Sequence, residues 1–300
     1  MSIHPISNTS YPLDGVTIHQ MNKFVEECGG KGAFEGKTTE DVNKLIQKPI
    51  TLSKKVSYCN YLNEKYPDSI HKANVFISHA WKYMFLDVVD AINQHFEDES
   101  GVIIWFDVFS VNQHMKSNIE PDYWATSFKN AIKEIGRVVV ILHPWDNPIP
   151  FTRAWCLWEI YCAISLLEEN KLEIAMSSTT KEAFIEGLTK KPSEYLQLLA
   201  NIDVEKSEAF VAADKDRIFA EVRAMDGGFH KVNALICSKM RTLVVKVFKD
   251  AIDSETELTK ALVDKKRAYG DILTKQQDYT NALLVLKECV REYRLIHGYN

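Results

Sequence analysis

Between residues 74 and 177, short and almost wholly apolar runs alternate with segments of helical periodicity, and no other feature restricts the fold as tightly. NVFISH (74–79), VIIWFD (102–107), RVVVIL (137–142) and KLEIAMS (171–177) read as strands. After Arg137 the third run has no polar alternation, which marks a strand buried on both faces and hence a parallel sheet. Residues 82–96 put Phe85, Val88, Val89, Ile92 and Phe96 on one helical face, and 124–135 do the same with Phe128, Ala131, Ile132 and Ile135. Thr152 is placed to N-cap a helix over 153–168. Further helical segments are expected at 180–190 and near 195–202.

Strands alternating with helices mean βαβ units, and right-handed crossovers turn these into an α/β, doubly wound parallel sheet over 73–203. Residues 1–72, with Gly29, Gly30, Gly32 and Gly36 crowded together, read as a lead-in segment packed on that domain. After Ser207 the alternation stops. A helix is expected from Ser207 to the Gly227–Gly228 pair and another over 229–252, which makes 204–255 a helical linker region. Residues 256–300 form two helices broken at Gln277–Asp278. Gly270 and Ala282 are small where these helices would cross, and Tyr279 and Leu286 flank the crossing.

The chain has 300 residues, 46% of them hydrophobic and 26% charged, which suffices for a sizeable core and excludes wholesale disorder. A net charge of −5 argues against nucleic acid or an anionic membrane as partner, because phosphate binding needs clustered Lys and Arg. Cys28, Cys59, Cys156, Cys162, Cys237 and Cys289 include no CxxC pair, so reduced thiols are expected rather than a disulfide framework or structural zinc. MSIHPISNTSYPLDG has no apolar signal-peptide core, and the apolar stretch AWCLWEIYCAISLL (154–167) is too short to span a membrane. A cytoplasmic protein without membrane contact is expected.

In doubly wound sheets ligands bind beyond the carboxyl ends of the strands. The residues that follow the strands are therefore the candidates for binding: Ser78, His79, Trp81 and Lys82 after the first, Asp107 after the second, His143 and Trp145 after the third. Asn112, His114 and Asn118 lie in the polar loop after the second strand. His79, Asp107, His114 and His143 occupy adjoining strand ends, but no tight spacing supports a metal site. The sharpest candidate is Glu159. In 154–167 the only other non-apolar residue is Ser165, and a carboxylate in so apolar a helix is costly to bury without a cation or a ligand. Arg153 is a candidate cation beside it, as is Lys82. Trp155, four residues earlier, shares its helix face; it reads first as core packing and second as a wall of the pocket. Cys156 reads as an inert buried thiol.

FISHAW at the first strand, FKNAIKEIGRVVVIL before the third turn, and above all RAWCLWEI resemble a TIR domain. Trp155, Cys156, Leu157 and Glu159 fit the W-C-L-x-E element of plant TIR domains, with Ile160 for a final Leu, and the resemblance covers about 73–190. It departs at Ser78-His79-Ala80-Trp81-Lys82, where plant members carry an F-R-G-E-D-like loop, and in a longer loop after the second strand. The resemblance implies a flavodoxin-like fold, NAD as substrate with no cofactor, and Glu159 as the catalytic group for cleavage of the nicotinamide–ribose bond. It also implies activation by self-association. The alternative is a non-catalytic TIR-type adaptor. The last forty residues resemble one tetratricopeptide (TPR) repeat of the kinesin-light-chain type, which implies a protein or peptide partner. The apolar face of that repeat, with Leu283, Leu286 and Val290, needs covering, and further repeats beyond Asn300 are expected to supply the cover.

Overall fold

The computed structural model describes residues 12–114 and 121–298, with the side chains of 121–126 outside the description. Asn118 and the side chain of Trp124, which falls in the expected apolar helix, therefore lie outside the described residues. The chain folds as a mixed α/β layer followed by a helical C-terminal region.

Six strands form one sheet: β1 (Asp14–Thr17), β2 (His71–Lys72), β3 (Val75–Ser78), β4 (Ile103–Trp105), β5 (Val138–Ile141) and β6 (Leu172–Ala175), in the order β2-β1-β4-β3-β5-β6. Pairings β4–β3, β3–β5 and β5–β6 are parallel, whereas β1 is antiparallel to both β2 and β4. The parallel strands coincide with the four apolar runs. Their alternate side chains divide between two cores, as the period of two requires. Phe76, Trp105, Val138 and Val140 enter one core; Val75, Ile77, Ile104, Val139 and Ile141 enter the other. Both faces of the sheet are thus covered, and continuous apolarity follows from that burial.

Helices Ile18–Glu27 and Phe85–His95 cover the second core. Helices Pro121–Ile135 and Ala154–Leu166 cover the first. The segment read as a lead-in also supplies β1 and β2 to the sheet. Two such short strands carry too little periodicity to be seen in sequence. Gly15 in β1 is required by packing, since a Cβ there would lie 2.5 Å from the Ile104 carbonyl oxygen.

Three local expectations are corrected. Thr152 does not cap the helix that follows: its hydroxyl donates to the Ile149 carbonyl at 2.8 Å, inside a short 3-10 turn, and Arg153 holds the N-cap position. The next region starts its helix at Ala212 rather than Ser207. Glu208 is extended there because its N–H donates to the Thr152 carbonyl and its carbonyl accepts from the Ala154 N–H. Gly227 does not close that helix, which ends at Ala224; it is the left-handed N-cap, φ 78°, of helix Gly228–Asp253.

Helix Gly228–Asp253 packs on helix Ala154–Leu166 and on β6, so Val232, Ile236, Met240, Val244 and Phe248 belong to the same core as the sheet. Helices Lys260–Lys275 and Tyr279–His297 form a hairpin turned at Gln277, φ 65°, with Asp278 accepting from the Asn281 N–H at the start of the second helix. Gly270 permits the close crossing, since a Cβ there would meet Leu286 at 2.7 Å. Leu286 is thus covered within the hairpin, while Leu283 and Val290 are each 54% exposed. Among the described residues no helix is long and apolar enough to cross a membrane.

Candidate functional site at the carboxyl end of the sheet

Counting only the parallel strands in chain order, the sheet reads second-first-third-fourth, so the connections leave β3 and β5 in opposite directions and open a switch point at their carboxyl ends. Ser78 stands there as the last residue of β3, in register with Val140 of β5. Its hydroxyl donates to Oε2 of Glu159 at 2.6 Å, and Glu159 is only 8% exposed. Helix Ala154–Leu166 carries the glutamate onto the sheet because Ala154, Leu157, Ile160 and Ala163 bury its length in the first core. Burial pushes the Glu159 carboxyl up to about 8; the Ser78 hydrogen bond opposes this rise and the Asp107 charge adds to it. Among the described residues no lysine or arginine forms an ion pair with it, which leaves a neutral hydroxyl as its anchoring partner.

A second group lies beside the first. The Trp81 indole N–H donates to Asp107 Oδ2, and His79 Nδ1 stands 4.0 Å from Asp107 Oδ1, beyond hydrogen-bond length. Burial holds His79 below the usual histidine range, with Asp107 opposing, so the ring is neutral near pH 7. His79 Nε2 and Asp107 Oδ1 are buried and find no hydrogen-bond partner among the described residues. Cys156 Sγ donates to the His79 carbonyl at 3.5 Å, and burial, reinforced by Glu159, drives its thiol far above the ordinary value. It is a packed thiol, not a nucleophile.

The remaining candidates are placed differently. His143 joins the periphery: its N–H donates to the Tyr83 hydroxyl at 3.0 Å, and its Nδ1 pairs with Thr180 Oγ1 at 2.7 Å. Trp145 turns instead to helix Ser178–Lys190, where its ring lies edge-on to Phe184 and fills the space above Gly187. A Cβ on Gly187 would fall 2.2 Å from the indole, so Gly187→Ala is expected to cost about 1–3 kcal/mol, read from the denaturant midpoint. Trp155 takes the core-packing role. Its ring packs on Phe128 at 5.0 Å and its N–H donates to Asp214 at 3.1 Å, so it is a clamp between helices rather than the wall of a pocket. Arg153 is half-buried at the helix N-cap, bridged through its backbone to Glu208, and Lys82 is exposed in the turn after β3.

His114 bonds Thr51, and among the described residues no cluster of three or more His, Cys, Asp or Glu is arranged for a metal. Two cavities lie elsewhere. One of about 170 Å³ is lined by His19, Tyr58 and Tyr66; another of about 200 Å³ is lined by His95, Lys181 and Asp250. Tyr83 and Gln113 are site neighbours that the sequence did not single out. Tyr83 is a single phenol in a turn, and Gln113 reveals itself only by folding back to donate to the Asp107 carbonyl at 2.8 Å. No protein-family model, curated protein or solved structure matches the chain.

Proposed function

We propose that the chain is a TIR-like NAD glycohydrolase whose catalytic carboxylate is Glu159. The observation that carries this reading is a carboxyl group buried at the switch point, anchored by one serine hydroxyl and without an ion-pair partner among the described residues. Burying a carboxyl there is costly, and a single hydroxyl is the hydrogen-bond partner that offsets the cost. The second-first-third-fourth order of the parallel strands supports the flavodoxin-like part of the reading.

The reaction breaks the C1′–N bond of the nicotinamide riboside. The bonding pair leaves with the pyridinium nitrogen, nicotinamide departs neutral, and water adds to C1′ with loss of a proton. The departing ring needs no general acid. Positive charge grows on the ribose, as in glycoside hydrolysis, and a fixed carboxylate beside it stabilises that charge. Ser78 holds the carboxyl in one orientation.

The adaptor reading keeps one observation in its favour: Glu159 is nearly closed off, and neither cavity described above reaches it. In the glycohydrolase reading this is a resting state that self-association opens. TPR-type partner binding belongs to the same proposal, with the hairpin 260–297 as the docking element. The experiment is nicotinamide release from NAD by the purified chain across a range of protein concentrations. Release that rises per molecule on concentration or forced dimerisation supports both parts of the reading. Absence of release in every assembly state leaves the adaptor.

A further inference from the structure

The segment after Thr38 buries polar side chains at a regular spacing. Thr39, Asn43, Gln47 and Thr51 recur every four residues and are 0%, 8%, 0% and 0% exposed, whereas Leu45 and Leu52 are 56% and 57% exposed. Val42 is buried among them, and Ile46 and Ile50 are half-buried against the second core. A helical stretch on a protein surface ordinarily turns its apolar side inward. This one buries hydroxyls and amides beside Val42, and residues Asn43–Gln47 are wound as a π-helical turn, a form that recurs at functional sites.

The buried polar groups are largely unpaired. The Thr39 hydroxyl, Asn43 Oδ1, and both Nε2 and Oε1 of Gln47 find no hydrogen-bond partner among the described residues. The chain packed beside it carries more of the same kind: Asp107 Oδ1, in the turn Asp107–Ser110 that packs on the π-turn, with Gln113 Oε1 and His79 Nε2, whose residues lie next to Asp107. Native interiors leave few such atoms, and so many in one region call for an occupant. The segment is fixed against the site along its length. Thr39 and Glu40 donate their N–H groups to the Tyr83 and Trp81 carbonyls at 2.9 and 3.0 Å. The π-turn packs on Asp107–Ser110, and Thr51 Oγ1 pairs with His114 Nε2 at 2.8 Å.

We infer that the polar face of Thr39, Asn43 and Gln47, with the adjoining group of Asp107, Gln113 and His79, is a binding subsite for a neutral ligand edge presenting a donor and an acceptor side by side. Gln47 offers the matching pair, one amide N–H and one carbonyl, and no lysine or arginine belongs to the set. Both the carboxamide of nicotinamide and the amino edge of adenine have this chemistry. The inference rests on the NAD reading for its choice of ligand, and it assigns substrate recognition to the N-terminal segment.

The test is calorimetric titration of the full chain with nicotinamide and, separately, with AMP. One probe is expected to bind, which identifies the edge, and Gln47→Met to weaken that probe by ~10-fold or more, because a hydrogen-bonding pocket is strict about its partner. A melting curve confirms that the variant is folded; if it is not, Asn43→Leu and Gln113→Met carry the same comparison. Failure of both probes to bind the wild-type chain, undiminished binding by the folded variants, or ordered water alone along the face in crystals grown with the probe overturns the inference. Probe binding without NAD cleavage keeps the subsite and sinks the glycohydrolase. NAD cleavage with a KM indifferent to Gln47→Met does the reverse.

Discussion

Glu159→Gln is expected to lower nicotinamide release by ~100-fold or more while the protein stays folded, because the amide keeps the shape and the Ser78 contact but removes the charge that steadies the ribose cation. The same substitution has a signature in stability. Folded Glu159 titrates at about 8, above the ordinary 4.5. Below 4.5 both folded and unfolded chains hold the proton. Between 4.5 and 8 the unfolded chain releases it and the folded chain does not, so this group's contribution to stability falls as pH rises and levels off above about 8. Glu159→Gln should therefore flatten the decline in melting temperature across that window. Activity moves the other way: if the carboxylate is the working form, kcat/KM rises with pH towards 8 in the wild type. Wild-type release by the Gln variant sinks the catalytic assignment.

Trp105→Ala is expected to cost ~3–5 kcal/mol, measured by urea or thermal midpoint. Trp105 is fully buried at the end of β4 and stacks on Phe76 of β3 with ring centroids 4.5 Å apart and planes within 9°. Its N–H also donates to the Pro12 carbonyl at 2.9 Å, which ties the start of the N-terminal segment to the sheet. Trp105→Phe separates the two contributions. It keeps a ring on Phe76 and leaves the Pro12 carbonyl without its donor, at about 1–3 kcal/mol. Equal losses for Ala and Phe would mean that the hydrogen bond, not the packing, dominates at this position.

What could be read from sequence divides along physical lines. The four parallel strands were legible because burial on both faces removes polar alternation, and Val138–Ile141 shows this most plainly. Glu159 was legible because one carboxylate stood in an otherwise apolar helix. The antiparallel strands β1 and β2 were not, because at four and two residues their identity is set by hydrogen bonds to partners far away in sequence. Trp145 was misplaced for a related reason. Position after a strand says where a ring starts, but Phe184, which decides where this one ends, belongs to a later helix. The polar face 39–51 was overlooked because uncharged polar residues at every fourth place read as surface until their burial is known.

The antiparallel flank of the sheet bears on how the chain can be divided. Ile103 and Ile104 of β4 hydrogen-bond through β1, which begins at Asp14, and β2 closes the outer side. A truncation starting at residue 73 would keep every apolar run that marks the α/β domain and still expose β4 as a naked hydrophobic edge. Unpaired edges of that kind recruit strands from other molecules. Clustering of such a fragment would imitate regulated self-association while arising from the cut, so any concentration-dependent activity has to be established on a chain that retains residues 12–72.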